Sequence, residues 1–200
     1  MKVSETAIKY IHLIRHGITE ANQKKMFYGH SDVPLAGEGI DEIVALKGEG
    51  VYPNPNGAEY FTSGLIRAEQ TLSLIYGDVP HTRLDDFKEI NFGDYEFKTH
   101  EELKNDPAYT SWVNDESGLS APHGGESFAQ FAKRVNAGFR RILDSGAEQL
   151  IVVCHGGVIC VIMDSCFSGR YTNSFYWLPE PGHGYTVSFG SCHPEGYTAF

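Results

Sequence analysis

Apolar residues in this chain gather into short runs that stop abruptly at polar or glycine positions. Tyr10-Ile11-His12-Leu13-Ile14 is rich in strand formers and is cut off by Arg15-His16-Gly17. Leu150-Ile151-Val152-Val153-Cys154 is a more continuous run, ended by His155-Gly156-Gly157. Continuous Val/Ile runs suit central parallel strands covered on both faces. A weaker strand, Glu59-Tyr60-Phe61-Thr62, ends at Ser63-Gly64. Towards the C-terminus the pattern alternates in two pieces, 185–189 and 197–200, split by Ser191-Cys192-His193-Pro194-Glu195-Gly196. That pair predicts a hairpin with a loop longer than two residues.

Between these strands the period changes to that of helices. Ser127 with Gln130 three residues on forms a capping-box pattern. After it Phe128, Phe131, Ala132, Val135, Phe139, Ile142 and Leu143 recur on one helical face. Residues 67–75 predict a second helix, opened by the Ser63-Gly64 turn, and 157–166 is apolar on every side, as in a helix buried against a sheet. Strands alternating with helices predict an α/β sandwich with a mainly parallel sheet. The stretch from about Lys88 to Gly125 breaks this alternation. It is rich in aromatics (Phe92, Tyr95, Phe97, Tyr109, Trp112) and in turn residues, and reads as a helical insertion.

Length sharpens this picture: 200 residues predict one domain, 1–200, with the insertion at about 88–125 inside it. Such a chain buries about 70% of its unfolded surface, enough for a core without staples. Lys+Arg 16 against Asp+Glu 26 gives a net charge of −10, which argues against nucleic-acid or anionic-membrane partners. An anionic substrate then needs a few placed arginines. The first nine residues carry no apolar run of a secretory signal, and no stretch approaches the roughly 18 apolar residues of a membrane span. Cys154, Cys160, Cys166 and Cys192 all lie in the last quarter, three of them in one apolar region, a pattern of buried thiols. A cytoplasmic protein is expected.

The candidate chemistry sits where strands end. Two strands run directly into His-Gly pairs, His16-Gly17 and His155-Gly156. If both are parallel in one sheet, both imidazoles lie at its carboxyl edge, where open α/β sheets place ligands. Arg67, four residues after Ser63 at the start of a helix, can fork onto an oxyanion. Glu89 is one of several nearby acids, with Asp85, Asp86, Asp94 and Glu96, and residue type alone does not single it out.

Taken in order, these residues resemble the signature of the histidine phosphatase superfamily, the group containing cofactor-dependent phosphoglycerate mutases. The resemblance runs through Arg15-His16-Gly17, Thr19, Asn22, Gly29, Asp32-Val33-Pro34-Leu35 and Gly39. It continues through Ser63, Arg67-Ala68, Thr71, Glu89, Phe92-Gly93, Gly125-Glu126-Ser127 and His155-Gly156, covering residues 11 to about 158. It implies a three-layer α/β sandwich with a mixed, mainly parallel sheet and a helical cap over its carboxyl edge. It also implies roles. His16 would attack phosphorus and become a phosphohistidine, its other ring nitrogen donating to a backbone carbonyl. Arg15, Arg67 and His155 would hold the phosphoryl oxygens, with Asn22 and Gly156 beside them. Glu89 would protonate the leaving alkoxide and then deprotonate the attacking water.

Two departures stand out. Ile18 occupies a place where many members carry Glu, and Phe97 one where many have Gly, at the point where the insertion meets the phosphate pocket. Rival chemistries lack their parts. A cysteine phosphatase built on Cys154 needs an arginine six residues on, where Cys160 stands. The nine histidines are scattered along the chain, and no Walker loop or Gly-x-Ser-x-Gly elbow is present. No metal and no cofactor are expected. Within the family, the resembling mutases are longer and carry an arginine pair in the insertion, whereas residues 105–115 hold no basic residue. The insertion resembles that of the α-ribazole phosphatases. The expected partner is a small phosphorylated metabolite, α-ribazole phosphate being the candidate, against the alternatives of a phosphoglycerate mutase or a catalytically silent phosphate-binding module. Tyr95 and Phe97, with Tyr109 and Trp112, would favour a leaving group with apolar or ring surface, although at least half of them are expected to form the insertion's own core. A homodimer is the assembly considered.

Overall fold

The computed structural model describes residues 10–167, 174–190 and 193–200. The readings of the N-terminal nine residues and of Cys192 fall outside them. Six strands form one sheet: β1 (Tyr10–Arg15), β2 (Ala58–Thr62), β3 (Thr82–Arg83), β4 (Gln149–Cys154), β5 (Gly184–Gly190) and β6 (His193–Ala199). Their spatial order is β3-β2-β4-β1-β5-β6. The pairings β1–β4, β2–β4 and β2–β3 are parallel, and β1–β5 and β5–β6 antiparallel, so the sheet is mixed and mainly parallel.

Alternation along the central strands divides the core into two. Ile11 and Leu13 of β1 and Leu150, Val152 and Cys154 of β4 face a cluster built with α6 (Phe128–Leu143) and α7 (Gly156–Phe167). Ile14, Ile151 and Val153 face the other way, against Ile43 of α2 (Gly37–Gly48) and Ala68, Leu72 and Ile75 of α3 (Ile66–Tyr76). Helices cover both faces, which is why β4 reads as an unbroken apolar run. Ser127 caps α6 as its spacing requires: its hydroxyl accepts from Gln130 N, and the Gln130 side chain accepts from Ser127 N. Phe128 departs from the expected apolar face, being 44% exposed at the first turn of α6.

Three elements differ from the sequence reading. α2 was not foreseen, because Gly37, Gly39 and Gly48 depress helix propensity and Ala36 offers no side-chain cap. β3 is only two residues long. β6 begins at His193, not Tyr197. Pro194 is tolerated because β6 is an edge strand, and the register shift at Ser188/Phe189 absorbs the extra residue. One 3-10 turn, Asp85–Phe87, precedes the 88–125 stretch, which itself holds a second, Gly93–Tyr95, followed by α4 (His100–Leu103) and α5 (Pro107–Val113). A short helix, α1 (Glu20–Gln23), follows β1. Among the described residues no helix is long and apolar enough to cross a membrane.

Candidate active site

Sheet register explains why the two histidines meet. Arg15 of β1 pairs with Cys154 of β4, so the next residue of each strand emerges at the same level. His16 N donates to Cys154 O (3.0 Å), and the imidazoles of His16 and His155 lie edge to face with centroids 5.1 Å apart. Both rings are buried.

His16 Nδ1 lies 2.7 Å from the Gly17 carbonyl. A carbonyl only accepts, so the proton sits on Nδ1 and Nε2 keeps its lone pair. Nε2 has no hydrogen-bond partner among the described residues. Burial, with the Arg67 charge beside it, holds the imidazolium form well below the usual histidine range, against the opposing pull of the Gly17 carbonyl. The ring is therefore a neutral imidazole with one open nitrogen. Thr71 steadies the turn, accepting from Gly17 N (3.1 Å) while donating to Arg67 O (2.7 Å).

Both nitrogens of His155 are engaged. Arg67 Nε donates to Nδ1 (3.3 Å), which leaves the ring proton on Nε2, directed at Ser63 Oγ (2.8 Å) at the end of β2. His155, expected beside the phosphoryl oxygens, thus has its Nε2–H directed at the Ser63 hydroxyl in this structure. Burial first, then Arg67, keeps this ring neutral too.

Arg67 is fully buried. Its terminal nitrogens donate to Ser31 O (2.9 Å) and Gly29 O (2.7 Å), and its guanidinium lies 4.7 Å over the Tyr28 ring. One hydrogen on each terminal nitrogen is left over. Loop 29–31 is held from the other side by Glu96 of the insertion, whose carboxylate accepts from the N–H groups of Gly29 (2.9 Å), His30 (2.9 Å) and Ser31 (3.0 Å). Burial alone would raise the Glu96 carboxyl, but the Ser31 side chain and these N–H groups together keep it below its ordinary range.

Arg15 donates through one terminal nitrogen to Pro179 O (2.6 Å), while its buried Nε finds no partner. A Cβ at Gly156 would stand 3.4 Å from that Nε and 2.4 Å from Leu178 Cδ1, so Gly156 is where the orphan donor and Leu178 converge. An orphan N–H beside two neutral histidines is a place for an oxyanion. Asn22 is turned to help: its Oδ1 accepts from Thr19 N (3.0 Å) and the Tyr28 hydroxyl (2.7 Å), leaving its NH2 to donate. Tyr28 was not anticipated from the sequence, where a lone tyrosine carries no signal.

Glu89 reaches the first turn of α7, its Oε2 accepting from Gly157 N (2.9 Å) and its Oε1 from Ile90 N (2.9 Å). A Cβ at position 157 would stand 2.4 Å from Glu89 Oε1, so only glycine admits the carboxylate there. Among Asp85, Asp86, Glu89, Asp94 and Glu96, it is Glu89 whose carboxylate meets the turn that follows His155. Tyr95 sits in an aromatic cluster: it is 7% exposed and packs on Tyr109 and Trp112, beside Leu103 and Phe92 and with Phe27 from outside the insertion. Phe97 is 51% exposed and adopts φ +62°, a left-handed conformation that suits glycine and strains a bulky side chain by about 1–2 kcal/mol. Burial pushes the Cys160 and Cys166 thiols up to about 12 and that of Cys154 up as well, so these thiols are inert.

The family model of the histidine phosphatase superfamily, branch 1, matches residues 11–194. The chain belongs to this superfamily. Histidine phosphatases similar to it include the adenosylcobalamin/alpha-ribazole phosphatase of Salmonella typhimurium, 32% identical over 175 residues, covering 85% of each chain. The solved alpha-ribazole phosphatase of Shigella flexneri shares the fold, with TM-score 0.81, 24% identity and coverage of 92% of this chain and 93% of that one. A solved phosphoglycerate mutase of Thermus thermophilus superposes with TM-score 0.71 at 30% identity, covering 96% of this chain and 99% of that one.

Proposed function

We propose that this protein hydrolyses a small phosphomonoester through a phosphohistidine on His16, without a metal ion, in the cytoplasm. Family membership and the alpha-ribazole phosphatase relatives make the chain a phosphatase. The observation that carries the finer reading is the open Nε2 of a neutral His16, with the unpartnered Nε of Arg15 nearby. In the first step Nε2 forms a bond to phosphorus as the P–O bond to the leaving group breaks. Glu89 gives that alkoxide its proton. In the second step water attacks the phosphohistidine, the P–N bond breaks, and Glu89 takes the water's proton, releasing inorganic phosphate. Arg15 and the Asn22 amide supply hydrogen bonds to the phosphoryl oxygens, and the buried Arg67 supplies positive charge. A metal is not required by this scheme, since the arginines balance the charge.

For substrate we propose α-ribazole phosphate, the compound class named by the Salmonella relative. A phosphate monoester of a ring-bearing leaving group also fits a cap segment, residues 105–115, with no basic residue to clamp a small carboxylate. The mutase kinship favours a second reading, phosphoglycerate interconversion. The test is acid quenching during turnover, with base-stable phosphate expected on His16, together with rates on α-ribazole 5′-phosphate and 3-phosphoglycerate. Interconversion of 3- and 2-phosphoglycerate, with a bisphosphoglycerate primer, much faster than phosphate release would replace the phosphatase reading. Absence of a trapped phosphohistidine would remove the covalent step.

A further inference from the structure

Arg134 lies in the middle of α6, and all five of its N–H donors are engaged. Nε donates to Glu126 Oε2 (3.0 Å). One terminal nitrogen donates to the carbonyls of Asp86 (2.9 Å) and Lys88 (2.7 Å). The other donates to the carbonyl of Glu89 (2.9 Å) and to Glu126 Oε1. Three main-chain carbonyls from one short stretch therefore converge on one guanidinium, and the last belongs to the residue whose carboxylate meets Gly157. Glu126 grips the far side: its Oε1 accepts from Asn91 N (2.9 Å), and its own N donates to Asn91 O (3.0 Å). Residues 88–92 have no regular secondary structure, so no helix or strand ladder fixes Glu89. The guanidinium and its carboxylate partner take that place.

We propose that Arg134, braced by Glu126, is a positioning residue that aims the Glu89 carboxyl at the leaving-group oxygen. This rests on Glu89 being the proton donor, as assigned above. Lysine cannot substitute, because one ammonium has three donors on a single atom and cannot span five acceptors in two directions. Proton transfer needs hydrogen-bond reach, and a misplacement of about 1 Å costs on the order of 10²-fold. A merely structural Arg134 would slow all substrates alike. A positioning Arg134 slows most those whose leaving group most needs a proton.

The experiment compares kcat/KM of Arg134→Lys, Glu89→Gln and their double variant on an alkyl phosphate and on p-nitrophenyl phosphate. Thermal unfolding verifies the fold. Arg141→Met is the control: it breaks an exposed ion pair from the same helix to the Asp86 carboxylate without touching the carbonyls, and should leave rates unchanged. Arg134→Lys should lose roughly 10- to 100-fold on the alkyl ester and under about threefold on the aryl ester. The double variant should be no slower than Glu89→Gln on the alkyl ester. Equal losses on both esters, or a loss that multiplies with that of Glu89→Gln, would overturn the proposal while leaving Glu89 as the acid. A Glu89→Gln loss that ignores the leaving group would overturn the acid assignment and this proposal with it. Should Arg134→Lys not fold, Glu126→Gln loosens the same grip and is judged by the same two criteria.

Discussion

The ends of β1 and β4 carry the same local pattern, an apolar strand running into His-Gly, yet they yield two different imidazoles. His16 has one nitrogen tied to its neighbour's carbonyl and one open. His155 has both tied, to Ser63 and Arg67. Sheet order makes the difference. β4 lies between β1 and β2, so its end is flanked by the end of β2, which brings Ser63, and by α3, which brings Arg67. β1 has β5 on its other side, antiparallel, entering at this edge with Gly184, and the turn before it offers Gly182 N to the main-chain carbonyls of Arg15 and His16. Among the described residues nothing there reaches Nε2. A repeated motif therefore acquires different surroundings from its neighbours in the sheet: one histidine keeps an open nitrogen and the other is held at both.

Breaking this asymmetry has graded consequences. The largest is at the open ring: His16→Ala should reduce turnover by more than about 10⁴-fold and abolish the trapped phosphohistidine. Near-wild-type turnover there would erase the distinction between the two strand ends. At the held ring, His155→Ala should cost about 10²-fold in kcat/KM while rapid quenching still detects phosphate on His16. Loss of the adduct in His155→Ala would mean that both rings are needed for attack. Ser63→Ala leaves the His155 Nε2–H buried without a partner, and unfolding should show a loss of about 1–3 kcal/mol with a smaller effect on rate.

Acid tests both rings together. His16 and His155 are held neutral in the fold, and His12 at the opposite end of β1 is shifted the same way by burial. The unfolded chain gains protons on these rings as pH falls through about 6.5, while the folded chain does not, so stability must fall in that direction. The slope is up to about 1.4 kcal/mol per pH unit for each neutral ring, and stability is flat above about pH 7.5 with respect to these groups. Chemical denaturation at about pH 7.5, 6.5 and 5.5 measures it, and a stability that rises on acidification would show the rings charged in the fold. The smallest expected effect is none: dialysis against EDTA should leave turnover intact, and loss with recovery on adding a divalent ion would show that the arginines do not suffice.

Much of this arrangement is legible in the sequence, and the reasons are specific. The two His-Gly ends stand out because continuous apolar runs mark central strands, and parallel register then sets both rings at one level. Arg67 is legible from its place four residues after Ser63, the residue that follows a strand. The remainder depends on contacts between residues far apart in sequence. Glu96 looks like any of five acids, and only the three N–H groups of a loop some 65 residues earlier give it a purpose. Arg134 looks like the polar face of an amphipathic helix. That the His155 proton goes to Ser63 follows from strand order, which no local pattern encodes. Phe97 is a visible departure from glycine, and its φ of +62° supplies the backbone reason for that glycine preference.

Loop 29–31 is gripped from two sides, its N–H groups by a carboxylate from the insertion and two of its carbonyls by the arginine under the histidines. The insertion is consequently no interchangeable cassette. Any recombinant exchange of the segment around 88–125 between relatives must bring its own acid at the place of Glu96, or the tripeptide comes loose beneath the guanidinium it steadies. Chimaeras made to alter substrate preference should therefore divide by whether that single carboxylate crosses the junction, whatever else the exchanged segment carries.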